Sequence, residues 1–466
     1  YIARGEFKKA YDIILKDNPL LGVCSRVCHH PCETKCRAGQ GGEPIAIRAL
    51  KRFAVEYGDG KKMKKARKKP TGPKAAIIGS GPSGLMAAYH LAQRGYAPTI
   101  FEAMPIMGGM LAVGIPEYRL PRDVLVRDVE RIKNAGVEIK TNNKLGRDFT
   151  VQDLFDKGYK AIYVAIGAHK SIKLAIPNET AHGVIPSMEF LTQIHLGKRV
   201  DVGKNVGVIG GGNSAVDAAR TAYRLPGVEK VTIIYRRTRG EMPAYKEEVD
   251  GALEEGIEMH FLTAPTKVVM KDSRVAGIEC IRMQLGSVDE SGRRRPIPIK
   301  GSEFEIKLDT LIPAISEQPD ISCLGDEHDF NISGWNTFVV DQETLTTNVP
   351  GVFAGGDAIR GPSSVIEAMA DGKRVAEAID KYIKGEEIIF AYSVTRPSIY
   401  VEPVKLRVEE VLETSKQKTR KRAPHLRSKN FEEVDLGFDK KAAMREARRC
   451  LRCDLEIKKK NEKEPK

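Results

Sequence analysis

Lys74-Ala75-Ala76-Ile77-Ile78-Gly79-Ser80-Gly81-Pro82-Ser83-Gly84 decides how this chain is read. A short apolar run enters a glycine turn, and a helix is expected from Leu85 to Arg94. Gly79, Gly81 and Gly84 keep the G-x-G-x-x-G spacing of a dinucleotide-binding turn. The first glycine permits the tight turn, the second lets backbone approach a pyrophosphate, and the third lets helix and strand pack closely. The phosphates then meet the positive end of the helix. Thr99-Ile100-Phe101-Glu102 reads as the next strand, ending in an acid 23 residues after Gly79. A carboxylate there can accept hydrogen bonds from a ribose diol, which makes a weak pattern strong.

A second fingerprint follows at Asn205-Val206-Gly207-Val208-Ile209-Gly210-Gly211-Gly212-Asn213-Ser214-Ala215. Gly210, Gly212 and Ala215 fit G-x-G-x-x-A, with a helix from Val216 to Tyr223. Its next strand, Val231 to Tyr235, ends in Arg236-Arg237 rather than in an acid. An acid favours the free ribose of NAD, whereas arginines favour a 2′-phosphate, as in NADP, through charge-assisted bonds.

Between and beyond the fingerprints the chain alternates strands and helices. Gly108 to Pro121 is glycine-rich and apolar, suited to lying against a flat ring. Val137 to Lys140 and Ala161 to Ala168 read as strands, the latter ending in a turn at Gly167. Val268 to Arg282 and Phe304 to Ile315 are expected to complete the second unit, with Gly286 to Lys300 as a hairpin-like insertion. Val352-Phe353-Ala354-Gly355-Gly356-Asp357-Ala358 then returns to the first unit, followed by a helix from Ser363 to Tyr382. An aspartate ahead of a helix N-terminus suits a ribityl hydroxyl, with the helix facing the pyrophosphate.

The chain has 466 residues, 41% of them hydrophobic, which suits a protein of two to four domains. No apolar run approaches the ~18 residues that span a bilayer. The first residue is Tyr1, inside an expected helix, so a further upstream segment is anticipated. The formal charge is +14. Much of it lies in Lys61 to Lys69 and in Lys416 to Arg427, and neither run contains Phe, Tyr or Trp. Nucleic-acid surfaces interleave aromatics with charge, so these runs read as solvated linker or as docking surface for an acidic protein. Six of the eight cysteines cluster, as Cys24, Cys28, Cys32 and Cys36 near the start and Cys450 and Cys453 in an expected final helix from Lys440 to Leu451. Clusters of this kind argue for metal rather than disulfides.

With these motifs in place, the chain resembles the glutamate synthase small-subunit family. The resemblance extends to the flavoprotein subunits of ferredoxin-dependent NADPH transhydrogenases, the NADH-dependent ferredoxin:NADP oxidoreductase type. The residues that carry it are the two fingerprints, Ile115-Pro116-Glu117-Tyr118-Arg119-Leu120-Pro121, Ala354 to Asp357, Cys24 to Cys36 and Glu43 to Phe53, over about residues 1–395. It implies an α/β fold of two Rossmann-like domains, the NADP domain inserted in the FAD domain, behind an N-terminal helical iron–sulfur domain. The implied division is 1–60 iron–sulfur, 61–73 linker, 74–175 with 336–395 FAD, 176–335 NADP, and 396–466 a C-terminal extension with a cysteine pair. The resemblance implies FAD on Gly79, Gly81, Pro82, Ser83, Gly84, Glu102, Gly109, Met110, Gly167, Gly356 and Asp357. It implies NADP on Gly210, Gly212, Asn213, Ser214, Ala215, Arg236 and Arg237. The family carries a further cysteine motif upstream and two [4Fe–4S] clusters; here Arg448-Arg449-Cys450-Leu451-Arg452-Cys453 looks like that motif moved to the other end. Four thiolates are the rule for one cluster. Cys24, Cys28, Cys32 and Cys36 supply that number, and so does a mixed set drawing on Cys450 and Cys453. Lys51 stands where relatives place a non-cysteine ligand. Zinc is the plainer alternative for four cysteines.

The expected activity is an NADPH-preferring oxidoreductase subunit that passes electrons between NADP(H), FAD, at least one [4Fe–4S] cluster, and a partner subunit or ferredoxin in a multisubunit complex. The cofactors carry the chemistry, so no side chain is named as catalytic; Glu317 and Gln318 are candidate neighbours of the nicotinamide. The alternatives are a glutamate synthase small subunit or a non-catalytic relay and docking subunit. A disulfide reductase fits less well, because Cys280 and Cys323 are single and far apart in sequence. A cytoplasmic location, no nucleic-acid partner and no transmembrane segment complete the expectation.

Overall fold

The computed structural model of the chain describes residues 1–58, 70–290, 292–325, 328–390 and 399–455. The basic run 61–69 and the charged tail 456–466 lie outside the described residues.

The strands are β1 (Lys74–Ile78), β2 (Ala97–Phe101), β3 (Glu138–Lys140), β4 (Tyr159–Val164), β5 (Lys170–Ser171), β6 (Asn205–Ile209), β7 (Lys230–Ile234) and β8 (Glu258–His260). They continue as β9 (Thr263–Lys271), β10 (Arg274–Val288), β11 (Arg294–Pro298), β12 (Phe304–Lys307), β13 (Thr310–Pro313), β14 (Glu317–Gln318) and β15 (Val352–Ala354). One parallel sheet has the order β15-β4-β1-β2-β3. A second parallel sheet has the order β13-β6-β7-β8. Parallel strands covered on both faces read as unbroken apolar runs, which is why the entries to both glycine turns look so much alike in sequence. The chain leaves the first sheet after β4 and returns to it at β15. Where it crosses, β5 and β14 pair antiparallel and tie the outgoing and returning segments together.

The stretches expected to complete the second parallel sheet divide differently. Val268 to Arg282 is a hairpin, with β9 turning into β10 through Asp272 and Ser273 at φ +52° and +62°. Positive φ at both central residues is what a tight type I′ hairpin turn requires. Together β9 to β12 make a separate antiparallel sheet, whose β10–β11 end is the polar insertion. Phe304 to Ile315 is split between two sheets, and only β13 joins β6. Alternating apolar residues identify a strand without saying which edge it pairs with.

Helix Pro82–Gln93 begins with proline in its first turn, where a missing N–H costs nothing. It packs against helix Val365–Lys384. The contact is close, since a Cβ on Gly372 would lie 2.2 Å from the Ser83 carbonyl oxygen. Helix Asn213–Tyr223 is anchored by charge instead. Its Arg220 and Arg224 reach the fully buried Glu255 at 2.6 and 2.8 Å, and Arg427 from the C-terminal segment joins at 3.0 Å. Burial alone would raise the Glu255 carboxyl; the arginines outweigh it and hold it at about 2. Tyr118 lies buried against the Arg220 and Arg224 guanidiniums, at 4.5 and 4.1 Å from the ring centre.

At the N-terminus, helices Phe7–Leu15 and Ile47–Gly58 share a small core with the last helix through Phe53, Phe438 and Ala443. That last helix is Lys440–Arg448, so Cys450 falls just beyond it rather than within it. Leu20, Val23, Cys24 and Val27 belong to the core of the first sheet. Among the described residues no helix is long and apolar enough to cross a membrane.

Candidate functional site

The first glycine loop is shaped by contacts that exclude side chains. Gly79 turns at φ +107°, and a Cβ there would lie 2.3 Å from the Ala165 carbonyl oxygen. A Cβ on Gly84 would lie 2.0 Å from the Gly79 carbonyl oxygen. Gly81 differs. Its backbone is extended, and a Cβ would meet no protein atom within 4 Å. Bare backbone facing open space at the start of a helix is a cradle for a phosphate group. Glu102, buried at the end of β2, accepts hydrogen bonds from the Ser80 N–H at 2.9 Å, the Ser80 hydroxyl at 2.5 Å and the Met104 N–H at 2.8 Å. The Ser80 oxygen in turn accepts from the Gly108 N–H at 3.0 Å. Glu102 therefore fixes the glycine loop and the Gly108–Pro121 stretch to each other.

On the opposite wall Gly356 turns at φ +65° and is followed by Asp357, whose Oδ1 accepts from the Ser363 N–H at 3.1 Å and its hydroxyl at 2.6 Å. Burial keeps the Asp357 carboxyl above its ordinary value. Helix Val365–Lys384 points its capped N-terminus to the same space, with Ser364 and Glu367 forming a capping box.

These walls enclose a cavity of about 570 Å³. Gly79, Gly81, Pro82, Ser83, Glu102, Gly109, Met110, Gly167, Gly356 and Asp357 line it, while Gly84 stands behind the loop. The second fingerprint contributes Asn213 and Ser214, and the cysteine segment contributes Cys28 and His29. Glu317 also lines it, but its strand neighbour Gln318 does not. Glu317 is 9% exposed, its Oε1 has no hydrogen-bond partner, and burial raises its carboxyl above the ordinary value. An orphaned buried acceptor in a cavity wall asks for a donor from whatever fills the cavity. Size, glycine cradle, two helix N-termini and carboxylates at both walls fit a dinucleotide with a flat ring.

The second glycine loop repeats the first. Gly210 turns at φ +147°, a Cβ there would lie 2.2 Å from the Ala314 carbonyl oxygen, and a Cβ on Gly212 would meet no protein atom within 4 Å. Ala215 is buried in the helix core. The two arginines do not act as a pair. Arg237 is buried, bonded to Asp289 at 2.8 Å and to the Arg294 carbonyl at 2.7 Å, so its guanidinium already anchors the β10–β11 hairpin. Arg236 is exposed, and both its partial burial and the nearby charge of Arg237 lower its pKa. A second cation at that spot favours an anion as neighbour.

The cysteines are not equivalent. Cys24 is 1% exposed, with its sulfur 3.2 Å from the Met369 sulfur, and burial pushes its thiol up to about 12. Cys28 is buried at the end of helix Leu21–Val27, Cys32 is exposed and Cys36 half-buried. Cys24 and Cys32 both sense the Lys51 ammonium and the Cys28 thiol. Cys450 is exposed just past the last helix, and the charges of Arg452, Asp454 and Cys453 act on its thiol. Among the described residues no three Cys, His, Asp or Glu side chains form a ready-made metal site. The donors on Cys28, Cys32 and Cys36 have the chemistry of cluster ligands; Cys24 is built into apolar core. All eight cysteines are free, and Cys280 lies buried in the antiparallel sheet, away from Cys323 at the cavity wall.

Sequence reasoning did not single out Ser80, His29 or Tyr245, all of which line the cavity. Ser80 sits inside the quoted fingerprint, and His29 between two cysteines, so both were within reach. Tyr245 had no signal, because only the fold carries residue 245 back to the glycine loop.

Comparison with known proteins agrees with this geometry. Residues 73–372 match the family model of the pyridine nucleotide-disulphide oxidoreductases. Residues 1–63 match that of dihydropyrimidine dehydrogenase domain II, 4Fe-4S cluster. The NADP(+)-dependent formate dehydrogenase subunit beta of Moorella thermoacetica is 42% identical, over 97% of this chain and 68% of that protein. The NADPH-Fe(3+) oxidoreductase subunit beta of Geobacter sulfurreducens is 39% identical, over 96% and 71%. The glutamate synthase [NADPH] small chain of Azospirillum brasilense is 33% identical, over 82% and 83%. Among solved structures, FprA from Mycobacterium tuberculosis shares the fold, with a TM-score of 0.58 at 19% identity over 67% of this chain and 85% of that one. Thioredoxin reductase of Lactococcus lactis shares it at a TM-score of 0.51 and 21% identity, over 67% and 99%. The chain belongs to the pyridine nucleotide-disulphide oxidoreductase family, with a domain of the 4Fe-4S type ahead of its nucleotide-binding sheets.

Proposed function

We propose that this chain is the NADPH-oxidising flavin subunit of a multisubunit electron-transfer enzyme, exchanging electrons between NADP(H) and an iron–sulfur cluster through FAD. The observation that supports it best is the single cavity bordered by the first glycine loop, by Asn213 and Ser214 of the second, and by Cys28. The chemistry such groups supply when bound is hydride transfer from nicotinamide to flavin and one-electron transfer to a cluster. The protein's part is to bind, orient and keep water out. Gly79, Gly81, Pro82 and Ser83 with Gly356 would hold the FAD pyrophosphate on the two helix N-termini, with Gly84 behind them letting helix and loop pack closely. Glu102 and Asp357 accept from its sugar and ribityl hydroxyls, and Gly109, Met110 and Gly167 lie against the ring. Gly210, Gly212, Asn213 and Ser214 would take the NADP pyrophosphate, with Ala215 packing behind them, Arg236 as the cation for the 2′-phosphate and Arg237 as its support. Glu317, with its orphaned oxygen, accepts a hydrogen bond from the carboxamide of the nicotinamide.

The cysteine assignment is narrower than four plus two. Cys28, Cys32 and Cys36 are the ligands on the N-terminal segment, and Cys24 is retained by the core. Cys450 and Cys453 are the thiolate donors of the C-terminal segment. We place the domain limits at 1–60, 74–175 with 336–395, 176–335 and 396–466, joined by the linker 61–73. The electron partner is another subunit or a ferredoxin, and the location is cytoplasmic, where eight free thiols persist.

Anaerobic purification with bound partners, followed by flavin and iron counts, tests this reading. The expected result is one FAD per chain, iron rather than zinc, and bleaching of the flavin by NADPH well below the NADH concentration needed. Zinc without iron removes the cluster, and equal bleaching by NADH removes the Arg236 argument.

A further inference from the structure

The segment after the second glycine loop touches the cysteine segment at two points. The Tyr245 ring stacks on the His29 ring, with centres 5.9 Å apart and planes 12° from parallel. Two residues on, Glu247 accepts from Arg48 Nη2 at 2.8 Å. Arg48 also donates from Nη1 to the Cys28 carbonyl at 3.2 Å and from its backbone N–H to Glu33 Oε1 at 2.9 Å. The same segment is bonded to the glycine loop on its other side. The Tyr245 N–H donates to Asn213 Oδ1 at 3.1 Å, and the Ala244 N–H to the Gly211 carbonyl at 3.1 Å.

We infer that Tyr245 and Glu247, with His29 and Arg48, are positioning residues that make nucleotide binding at Gly210–Ala215 and the arrangement of the cysteine segment depend on each other. The inference rests on the reading of those two regions as NADP site and cluster segment. Its physical basis is pre-organisation. A glycine loop already fixed through Ala244 and Tyr245 loses less freedom when a nucleotide binds, so the contacts that fix it raise affinity. By linkage, bound nucleotide then steadies the loop that carries Cys28 to the same degree. The two contacts are unequal. Glu247 is half exposed, with 53% of its side chain in solvent, and an ion pair of that kind is weak. The ring stack between half-buried partners carries more.

The test uses the anaerobically purified holoprotein, with NADP⁺ as the probe. His29→Leu breaks the stack from the cysteine side without touching the glycine loop, and Glu247→Gln breaks the ion pair without touching a cysteine. The expected result, measured per bound flavin, is NADP⁺ binding about 3- to 10-fold weaker in His29→Leu and about 2-fold weaker in Glu247→Gln, with the melting temperature of Glu247→Gln unchanged. The spectrum of the reduced cluster changes on adding NADP⁺ to the native protein, and that change is lost in His29→Leu. Unchanged NADP⁺ affinity in both variants overturns the coupling. A native protein with no cluster signal, or with no NADP⁺ binding, overturns instead the reading on which it rests.

Discussion

The two glycine loops of this chain are one backbone solution carried out twice with different side chains. In each, the first glycine turns at positive φ, and a Cβ there would also strike a carbonyl oxygen, of Ala165 at 2.3 Å or of Ala314 at 2.2 Å. In each, the second glycine faces open space. They part at the third position and at the end of the next strand. Gly84 sits where a Cβ would be 2.0 Å from the Gly79 carbonyl, whereas the second helix accepts Ala215. The first strand ends in Glu102, which clamps its own loop, and the second in Arg236 and Arg237, of which one supports a hairpin and one faces solvent. The helices behind the loops differ as well, one packed on another helix through Gly372, the other held by buried ions at Glu255. On the proposed reading, recognition of a pyrophosphate belongs to the backbone and the choice between nucleotides to the neighbouring strand end.

The largest expected effect breaks this symmetry at the third position. Gly84→Val, which forces atoms into a backbone contact, is expected to cost about 3 kcal/mol or more and to abolish FAD retention. Ala215→Gly at the matching site is expected to cost at most about 1 kcal/mol and to leave flavin content unchanged. Flavin counts and thermal melts on the two variants check both. Next in size, Arg427→Met removes one cation from Glu255 and leaves buried charge short of a partner. It is expected to destabilise the protein by about 3 kcal/mol, with the second unit losing amide protection before the first. Smaller again, Arg236→Ser is expected to raise the KM for NADPH about 10- to 100-fold and to leave that for NADH within about 2-fold.

Acid acts on buried groups of both units. His90, buried on the helix behind the first loop, is held down at about 4 by burial, with Arg94 and Lys373 adding to it. An unfolded chain binds that proton near pH 6.5 and the folded one only near 4, so stability from this group falls as pH drops through that window. Glu255 behind the second loop has its carboxyl at about 2 rather than the ordinary 4.5. Its contribution is fully present above pH 4.5 and fades only as pH falls toward 2. His195, at the end of helix Ser187–His195 against the second sheet, is, like His90, held at about 4 by burial. Amide exchange is therefore expected to rise in both β1 and β6 between pH 6.5 and 4, with the Glu255 contribution lost only below 4.5. Exchange in β1 that stays unchanged down to pH 4 contradicts the assignment of His90.

Much of this was legible in sequence because the glycine loops are local. Gly79 to Gly84 and Gly210 to Ala215 carry their own geometry in their spacing, and parallel strands announce themselves as apolar runs. What escaped was set by contacts distant in sequence. The division of Val268–Arg282 into a hairpin hangs on Asp272 and Ser273, neither of them the glycine that usually marks such a turn. The fate of Arg237 depends on Asp289, 52 residues on, which nothing near Arg237 announces. Cys24 looked like its three neighbours, spaced four residues apart, until helix Leu21–Val27 was seen to turn it onto Met369. Tyr245 reaches the cavity only because the chain folds back to the loop it follows.

The central claim is that the cavity carries electrons from the second glycine loop, past the first, to the cysteine segment. Anaerobic rapid mixing of the holoprotein with one equivalent of NADPH, with flavin absorbance followed in time and samples frozen for electron paramagnetic resonance, tests it directly. The account predicts that the flavin band is lost first and that a reduced iron–sulfur signal then appears, a signal removed by Cys28→Ser but not by Cys24→Ser. Flavin bleaching with no cluster signal, or a signal lost equally in Cys24→Ser, would contradict it.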